Sequence, residues 1–327
     1  MVKRADRLTN SFYNNRCLRR SISTLETRWD ENRPSVCEIF RRYGDKIGFW
    51  GGIFVVGRVG LGMRGRFSLR DDMVYSMPVH FSGRAFEPVA AEYGDMTCVR
   101  LSFETDPEVL LNYLPGCFEL VEPRVDVQYA SCRDVKWMSG GDYRLLQVTV
   151  PARYVGEREV ITGDYALVVW EDKACPIIGG REEDGVPKLF AQIASERHVG
   201  DHWFTSAAYE SCQFCSLDFW GGERISDEDL AGMNREGRVN LFGWRYIPNL
   251  GGPGGALSQP TLYPQRVSFR SAQRGMGLVS WTKIGFERHP VQWRIIDALA
   301  DMPVLGWRGA LMTWGSAVLE VGSSRAL

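Results

Sequence analysis

From residue 77 onward, this chain is built from short runs of strand-forming residues cut by glycine, proline, asparagine and aspartate, with no repeated strand-then-helix alternation. Runs of this kind read as β-strands bounded by turns. The missing alternation argues against a doubly wound parallel sheet or a strand–helix barrel. Thr97 to Phe103 alternates well, and Arg124 to Tyr129, Tyr143 to Val150 and Tyr165 to Trp170 follow as strands. Trp203 to Leu217 reads as one long strand, and Leu241 to Ile247, Val267 to Phe269 and Leu278 to Trp281 as further ones. Asp106 to Leu114 predicts a helix, because Asp106 can cap it and Pro107 suits its first position. Pro290 to Ala298 predicts another, and Val304 to Val321 a closing strand with turns. No period of 20–50 residues repeats, which disfavours a solenoid or propeller. The fold class is α+β, mainly antiparallel β.

The composition shifts near Met77-Pro78. Residues 1–76 read as an extension that is partly ordered or mobile, with a short helix expected over Ser35 to Arg42, and residues 77–327 read as the main domain. The longest apolar stretch, Ile47 to Val56, is far short of the roughly 20 residues a spanning helix needs. The first 25 residues carry six cations (Lys3, Arg4, Arg7, Arg16, Arg19, Arg20) against Asp6. That weakly resembles a mitochondrial presequence, and a loose basic tail is the plainer account. A formal net charge of -1 without a long run of one sign argues against nucleic acid as a partner. Eight cysteines in 327 residues are too dilute for a disulfide scaffold. With no apolar secretory core at the N-terminus, a reducing cytoplasmic home is expected.

Few residues carry recognisable chemistry. Lysine is scarce, six against 33 arginines, and Lys188 opens the apolar run Lys188-Leu189-Phe190-Ala191. An amine in apolar surroundings loses stabilisation of its charged form, and a neutral amine attacks ketones to form a Schiff base. The other account is a strand-end lysine whose stem is buried while its ammonium stays wet. Arg181, Glu182 and Asp184 precede it, in what reads as a charged turn between two strands. Arg181 could hold a carboxylate by a bidentate contact, and a nearby acid could relay protons. His198, His202, Cys212 and Cys215 fall within 18 residues, but Cys212 and Cys215, three apart on one strand, would point to opposite faces, so no metal site is assigned. Gly251 to Gly255 lacks the lysine and the strand–turn–helix context of a phosphate loop and reads as a surface loop. No Gly-x-Ser-x-Gly elbow is present.

The run Gly180-Arg181-Glu182-x-x-x-x-Pro187-Lys188 resembles the central signature of the acetoacetate decarboxylase-like superfamily. Glu122-Pro123, Tyr143 through Pro151, Gly163-Asp164-Tyr165, Ile247-Pro248-Asn249 and Asp301-Met302-Pro303-Val304 stand in that family's order. The resemblance covers roughly residues 77–327. It implies a β-barrel or cone with flanking helices, a homo-oligomer, a keto acid substrate, no cofactor and Lys188 as the Schiff-base nucleophile. Departures accompany it: Leu189 stands where the family usually has a second lysine. Leu145 and Gln128 stand where pocket glutamates are expected, and Met96 where an arginine is. With Arg181, Glu182 and Asp184, these are the candidate supporting residues. Fewer charges suggest a larger, greasier β-keto acid, as in fungal relatives of polyketide-toxin pathways. An imine-dependent aldolase-dehydratase or cyclase and a non-catalytic small-molecule binder are the alternatives.

Overall fold

The computed structural model describes residues 64–87 and 90–327 and, before them, the backbone of two short strands, β1 (Phe49–Trp50) and β2 (Ile53–Phe54), paired antiparallel. The helix expected over Ser35 to Arg42 lies outside the described residues. A compact unit spans Leu69 to Leu327. It opens with the small pair β3 (Met73–Val74) and β4 (Arg84–Ala85). The long strand β5 (Ala91–Glu104) follows, then helix α1 (Pro107–Leu111), where the Asp106 carboxylate accepts the Glu108 N–H at 2.9 Å. Next come β6 (Phe118–Leu120), β7 (Arg124–Val135), β8 (Gly141–Val155) and β9 (Val160–Glu171). Helix α2 (Ala174–Glu182) leads into β10 (Lys188–Phe190), β11 (Gln192–Ile193) and β12 (Arg197–Val199). A hairpin of β13 (His202–Tyr209) and β14 (Cys212–Arg224) precedes α3 (Asp227–Arg235). The last part holds β15 (Arg238–Pro248), β16 (Gly255–Trp281), α4 (Gly285–Arg288), α5 (Trp293–Ala300), β17 (Gly306–Leu319) and β18 (Arg325–Ala326).

Nearly all pairings in this unit are antiparallel. Going round, β9 pairs with β8, β8 with β7, β7 with β5, β5 with β17, β17 with β16 and β16 with β15. Two parallel residue pairs, Leu241 opposite Asp164 and Phe242 opposite Tyr165, bring β15 back to β9. The sheet is thus a partial ring closed by a short seam. Beside that seam, the three residues of β10 also run parallel to β9. The 27-residue β16 pairs with β15 first, then with β17, and finally with β14, so one strand belongs to both the ring and an outer layer.

Successive side chains of a strand point to opposite faces. In β7, Val125, Val127 and Tyr129 are fully buried in the main core, while Asp126, Gln128, Ala130 and Cys132 face the inside of the ring. In β8, Leu146, Val148 and Val150 enter that core, while Leu145, Gln147 and Thr149 face inward. The outward apolar set meets Trp203, Phe214 and Leu217 of the β13–β14 hairpin and Ile296 and Leu299 of α5. Both faces of the central strands are therefore covered, one by core and one by a cavity.

Two expectations need correction. Trp203 to Leu217 is not one strand: Glu210 and Ser211, both at positive φ (45° and 69°), turn the chain into a hairpin. Glu-Ser is not a usual residue pair for such a turn, so the alternation ran through it unmarked. Arg181 and Glu182 do not lie in a turn between strands but in the last turn of α2.

Phe242 is fully buried at the seam, its ring 5.1 Å from that of Phe118. Replacing it by alanine is expected to cost about 3–5 kcal/mol, read as a lower denaturant midpoint at unchanged m value.

Candidate functional site

The inside of the ring is a cavity of about 190 Å³. Register sets its walls. Arg100, Gln128, Gln147, Val169 and Lys188 form one continuous line across β5, β7, β8, β9 and β10. One step along, Cys98, Ala130, Leu145 and Glu171 form a second. All nine line the cavity. A bulge in β9 rephases its alternation: Val148 pairs with Val168, but Thr149 pairs with Ala166. Asp164 consequently faces the cavity along with Val169 and Glu171, whereas an unbroken alternation would turn it away.

Lys188 owes its position to the segment before it. Val186 N–H donates to Gly180 O at 2.9 Å, Lys188 N–H to Val186 O at 2.8 Å, and Val169 N–H to Pro187 O at 3.0 Å. Gly185 turns at φ 73°, where a Cβ would lie 2.7 Å from Arg245 Cβ. The lysine side chain then passes over Gly180 of α2. A Cβ at Gly180 would lie 2.4 Å from Lys188 Cε and 2.7 Å from Nζ. This close passage accounts for a glycine inside a helix, where it costs about 1 kcal/mol relative to alanine.

The lysine side chain is 13% exposed, and its Nζ lies 2.9 Å from Glu171 Oε1. The ammonium also donates to Pro176 O at 3.1 Å. Glu171 is 1% exposed, and beyond Lys188 its carboxylate has no polar partner among the described residues. Burial pushes the Glu171 carboxyl above its ordinary range, with Lys188 opposing that rise. On its other side, Lys188 borders a second, outer cavity of about 590 Å³, with Cys175, Gly180 and Asp184 in its wall. Asp184 is pushed up to about 6 by burial, against the pull of Lys188. Asp164 is also pushed up to about 6, by burial first and by Asp126 second, against Arg100 and Arg124.

The sequence-derived candidates divide. Gln128, Leu145 and Met96 line the inner cavity with Lys188, and Asp184 lines the outer one. Arg181 turns away: its guanidinium is tied to the Lys188 backbone oxygen at 2.8 Å, and it lines neither cavity. Its role is to hold the strand end. Glu182 also lines neither cavity. Leu189 alternates away from Lys188 and packs against the main core. Its identity therefore does not tune the inner cavity by contact. Glu171 was not singled out from sequence, although it is the first acid after the apolar run Leu167 to Trp170, with Asp172 directly behind it. His202 is engaged by Asp218 at 2.8 Å, and Cys215 is buried in the core.

Comparison with known proteins gives a consistent result. The family model described as acetoacetate decarboxylase (ADC) matches residues 76–323. A protein called acetoacetate decarboxylase from Burkholderia vietnamiensis is 27% identical over 237 residues, 71% of this chain and 85% of that protein. Acetoacetate decarboxylase 1 of Bradyrhizobium diazoefficiens is 33% identical over 118 residues, 36% of this chain and only 44% of that protein. Among solved structures, acetoacetate decarboxylase from Legionella pneumophila superposes with a TM-score of 0.60 at 19% identity, covering 82% of this chain and 93% of that one. The enduracididine biosynthesis enzyme MppR, complexed with the condensation product of pyruvate and imidazole 4-carboxaldehyde, gives 0.58 at 15% identity, covering 81% and 98%. At these identities the structural likenesses show the fold. Among the described residues, no helix is long and apolar enough to cross a membrane.

Asp164 supplies a pH test. Its carboxyl holds its proton longer in the fold than in the unfolded chain, so its contribution to stability is greatest when protonated. That contribution falls as pH rises from 3.8 to about 6. Asp164→Asn should match the wild-type melting temperature at the acid end of this window and exceed it above the window. The check is thermal unfolding of both proteins across that range.

Proposed function

Because this chain belongs to the acetoacetate decarboxylase family, we propose that it is a carbon–carbon lyase in which Lys188 forms an imine with a β-keto acid. The observation that carries the reading is the buried Lys188–Glu171 pair at one end of a closed-in cavity. Lys188 Nζ attacks the ketone carbon, the carbinolamine loses water, and a protonated imine results. The positive nitrogen accepts the electron pair of the breaking carbon–carboxylate bond. Carbon dioxide leaves, and the nitrogen and the former α-carbon are left as an enamine. Protonation at carbon and hydrolysis release the ketone and the free amine.

Glu171 is suited to two parts of this sequence. As a carboxylate, it faces the developing iminium charge in a water-poor site, where such a charge is strongly felt. Burial also favours its protonated form, so the same group can pass a proton to or from the carbinolamine and the enamine. Asp184, on the other side of Lys188, is the second acid within the same surroundings.

The substrate in this reading is longer than acetoacetate and polyketide-derived. Met96 and Leu145 supply an apolar wall in the inner cavity. That cavity, at about 190 Å³, is smaller than the roughly 300–1,000 Å³ usual for larger ligands. The rest of a long chain would therefore extend past the mouth, where Arg100 is exposed. Equal or better turnover of acetoacetate than of longer 3-oxo acids would overturn this part. A second reading keeps the imine and changes the electrophile: the enamine attacks an aldehyde, and dehydration follows. The likeness to MppR, held with a condensation product, favours giving it a test by product analysis with pyruvate and aldehydes.

Borohydride reduction in the presence of a ketone should add the ketone's mass less one oxygen atom to Lys188, and Lys188→Arg should abolish the adduct. No adduct with any ketone would favour a binding protein instead. Glu171→Gln keeps the side-chain shape and should slow turnover by ~10²–10⁴-fold. Gly180→Ala should leave the melting temperature within a few degrees, since alanine favours the helix, yet displace the amine and cut turnover by about 10²-fold. Circular dichroism and a carbon dioxide assay together check that split.

A further inference from the structure

The cavity wall facing Lys188 is not the greasy surface that Met96 and Leu145 alone would suggest. Arg100, Gln128 and Gln147 stand on the same register line as Lys188, and all three line the cavity. Beyond the backbone ladder, the side chains of these three make no hydrogen bond or ion pair with another described residue. Gln128 and Gln147 are half-buried and Arg100 is exposed, so water satisfies them in the free protein, and a ligand entering the cavity must replace that water with groups of its own. Their neighbours on the same wall are Thr149, Asp126 and Asp164. Asp126 is already engaged by the Ser102 hydroxyl and Arg124, which leaves Asp164 as the acceptor facing Arg100.

The mix of groups restricts the ligand. The guanidinium and the two amide NH₂ groups are donors, while the amide oxygens and Asp164 are acceptors. An alkyl tail satisfies none of them and would leave several desolvated. A second carboxylate would suit Arg100 but would also meet Asp164 and Asp126. A hydroxyl group both donates and accepts, and a chain carrying hydroxyl and carbonyl oxygens matches the whole set. Arg100 lies four strand steps from Lys188 along the register line, with Gln128 and Gln147 between them, so the groups follow the substrate from its reacting ketone toward the mouth.

We propose that Arg100, Gln128 and Gln147 form a specificity wall for a keto acid whose distal chain bears uncharged oxygens, hydroxyl or carbonyl, rather than for an alkyl or dicarboxylic one. This rests on the imine reading of Lys188 and names the substrate class for that site. The wall leaves the imine chemistry to Lys188 and sets which chain is held while it occurs.

The test uses a matched six-carbon trio: 3-oxohexanoate, 5-hydroxy-3-oxohexanoate and 3-oxohexanedioate, each corrected for uncatalysed decarboxylation. The full-length protein should show kcat/KM at least about tenfold higher for the hydroxylated acid than for either other, the scale expected of one or two hydrogen bonds. Arg100→Met and Gln147→Leu should each erase most of that preference, chiefly by raising KM for the hydroxylated acid. Borohydride trapping with the three corresponding ketone products runs in parallel. Equal turnover of all three acids with adducts intact, or a preference for the alkyl acid or the diacid, would overturn the wall and leave the imine reading standing. A preference unchanged in both variants would do the same. No adduct with any ketone would overturn both.

Discussion

The two-faced burial of β5, β7, β8 and β9 is the constraint on which the rest depends. Residues of one parity, such as Val127, Leu146 and Trp170, enter a continuous apolar core. Those of the other parity line the cavity and form two smaller apolar clusters, one around Ala130, Cys132 and Tyr143 and one around Val169 and Leu241. A slip of register by one residue would exchange the two sets and put Gln128 and Gln147 into the core. Burying unpaired amides there would cost several kcal/mol. The site is therefore held by the same alternation that holds the fold.

Against this regular background, three local irregularities shape the cavity and the position of Lys188. The bulge in β9 adds Asp164 to the wall. The left-handed turn at Gly185 swings the chain from α2 onto β9, so that three residues of parallel pairing suffice to fix Lys188. Gly180 then lets the lysine stem lie against the helix. The bulge lies earlier in the strand that ends at Glu171, the Gly185 turn precedes Lys188, and Gly180 lies against the lysine stem. Sequence-level rules are expected to give way at a functional site in just this manner.

How much was legible in the sequence follows from this division. The strands whose two faces differ in polarity were readable, because alternation survives wherever one face meets the core. The β13–β14 hairpin was not, since its turn residues, Glu210 and Ser211, carry no turn signal. The charged stretch from Arg181 reads as a turn in sequence, and the passage of Lys188 over Gly180 explains why a glycine stands inside α2. Scarcity and apolar neighbours single out Lys188 in the sequence, the family resemblance gives it a role, and the structure adds its burial beside Glu171. Leu189 invited too much inference: adjacency in a strand places a residue on the opposite face, and its contacts are with the core.

Glu171 shows how a neighbouring strand can stand in for a missing acid. Leu145 occupies a position where the family resemblance leads one to expect a carboxylate, yet Leu145 and Glu171 are direct partners across β8 and β9. Partners in an antiparallel pair share a face and stand about 5 Å apart at Cβ. A carboxylate on either partner therefore enters the same cavity at nearly the same place. Seen in one strand, the exchange looks like the loss of an acid; seen across the pair, a buried carboxylate remains within 2.9 Å of the lysine nitrogen. Inference from a missing residue is thus sound only after its cross-strand partner has been read, and here that partner turns an apparent loss of charge into a tightly held ion pair.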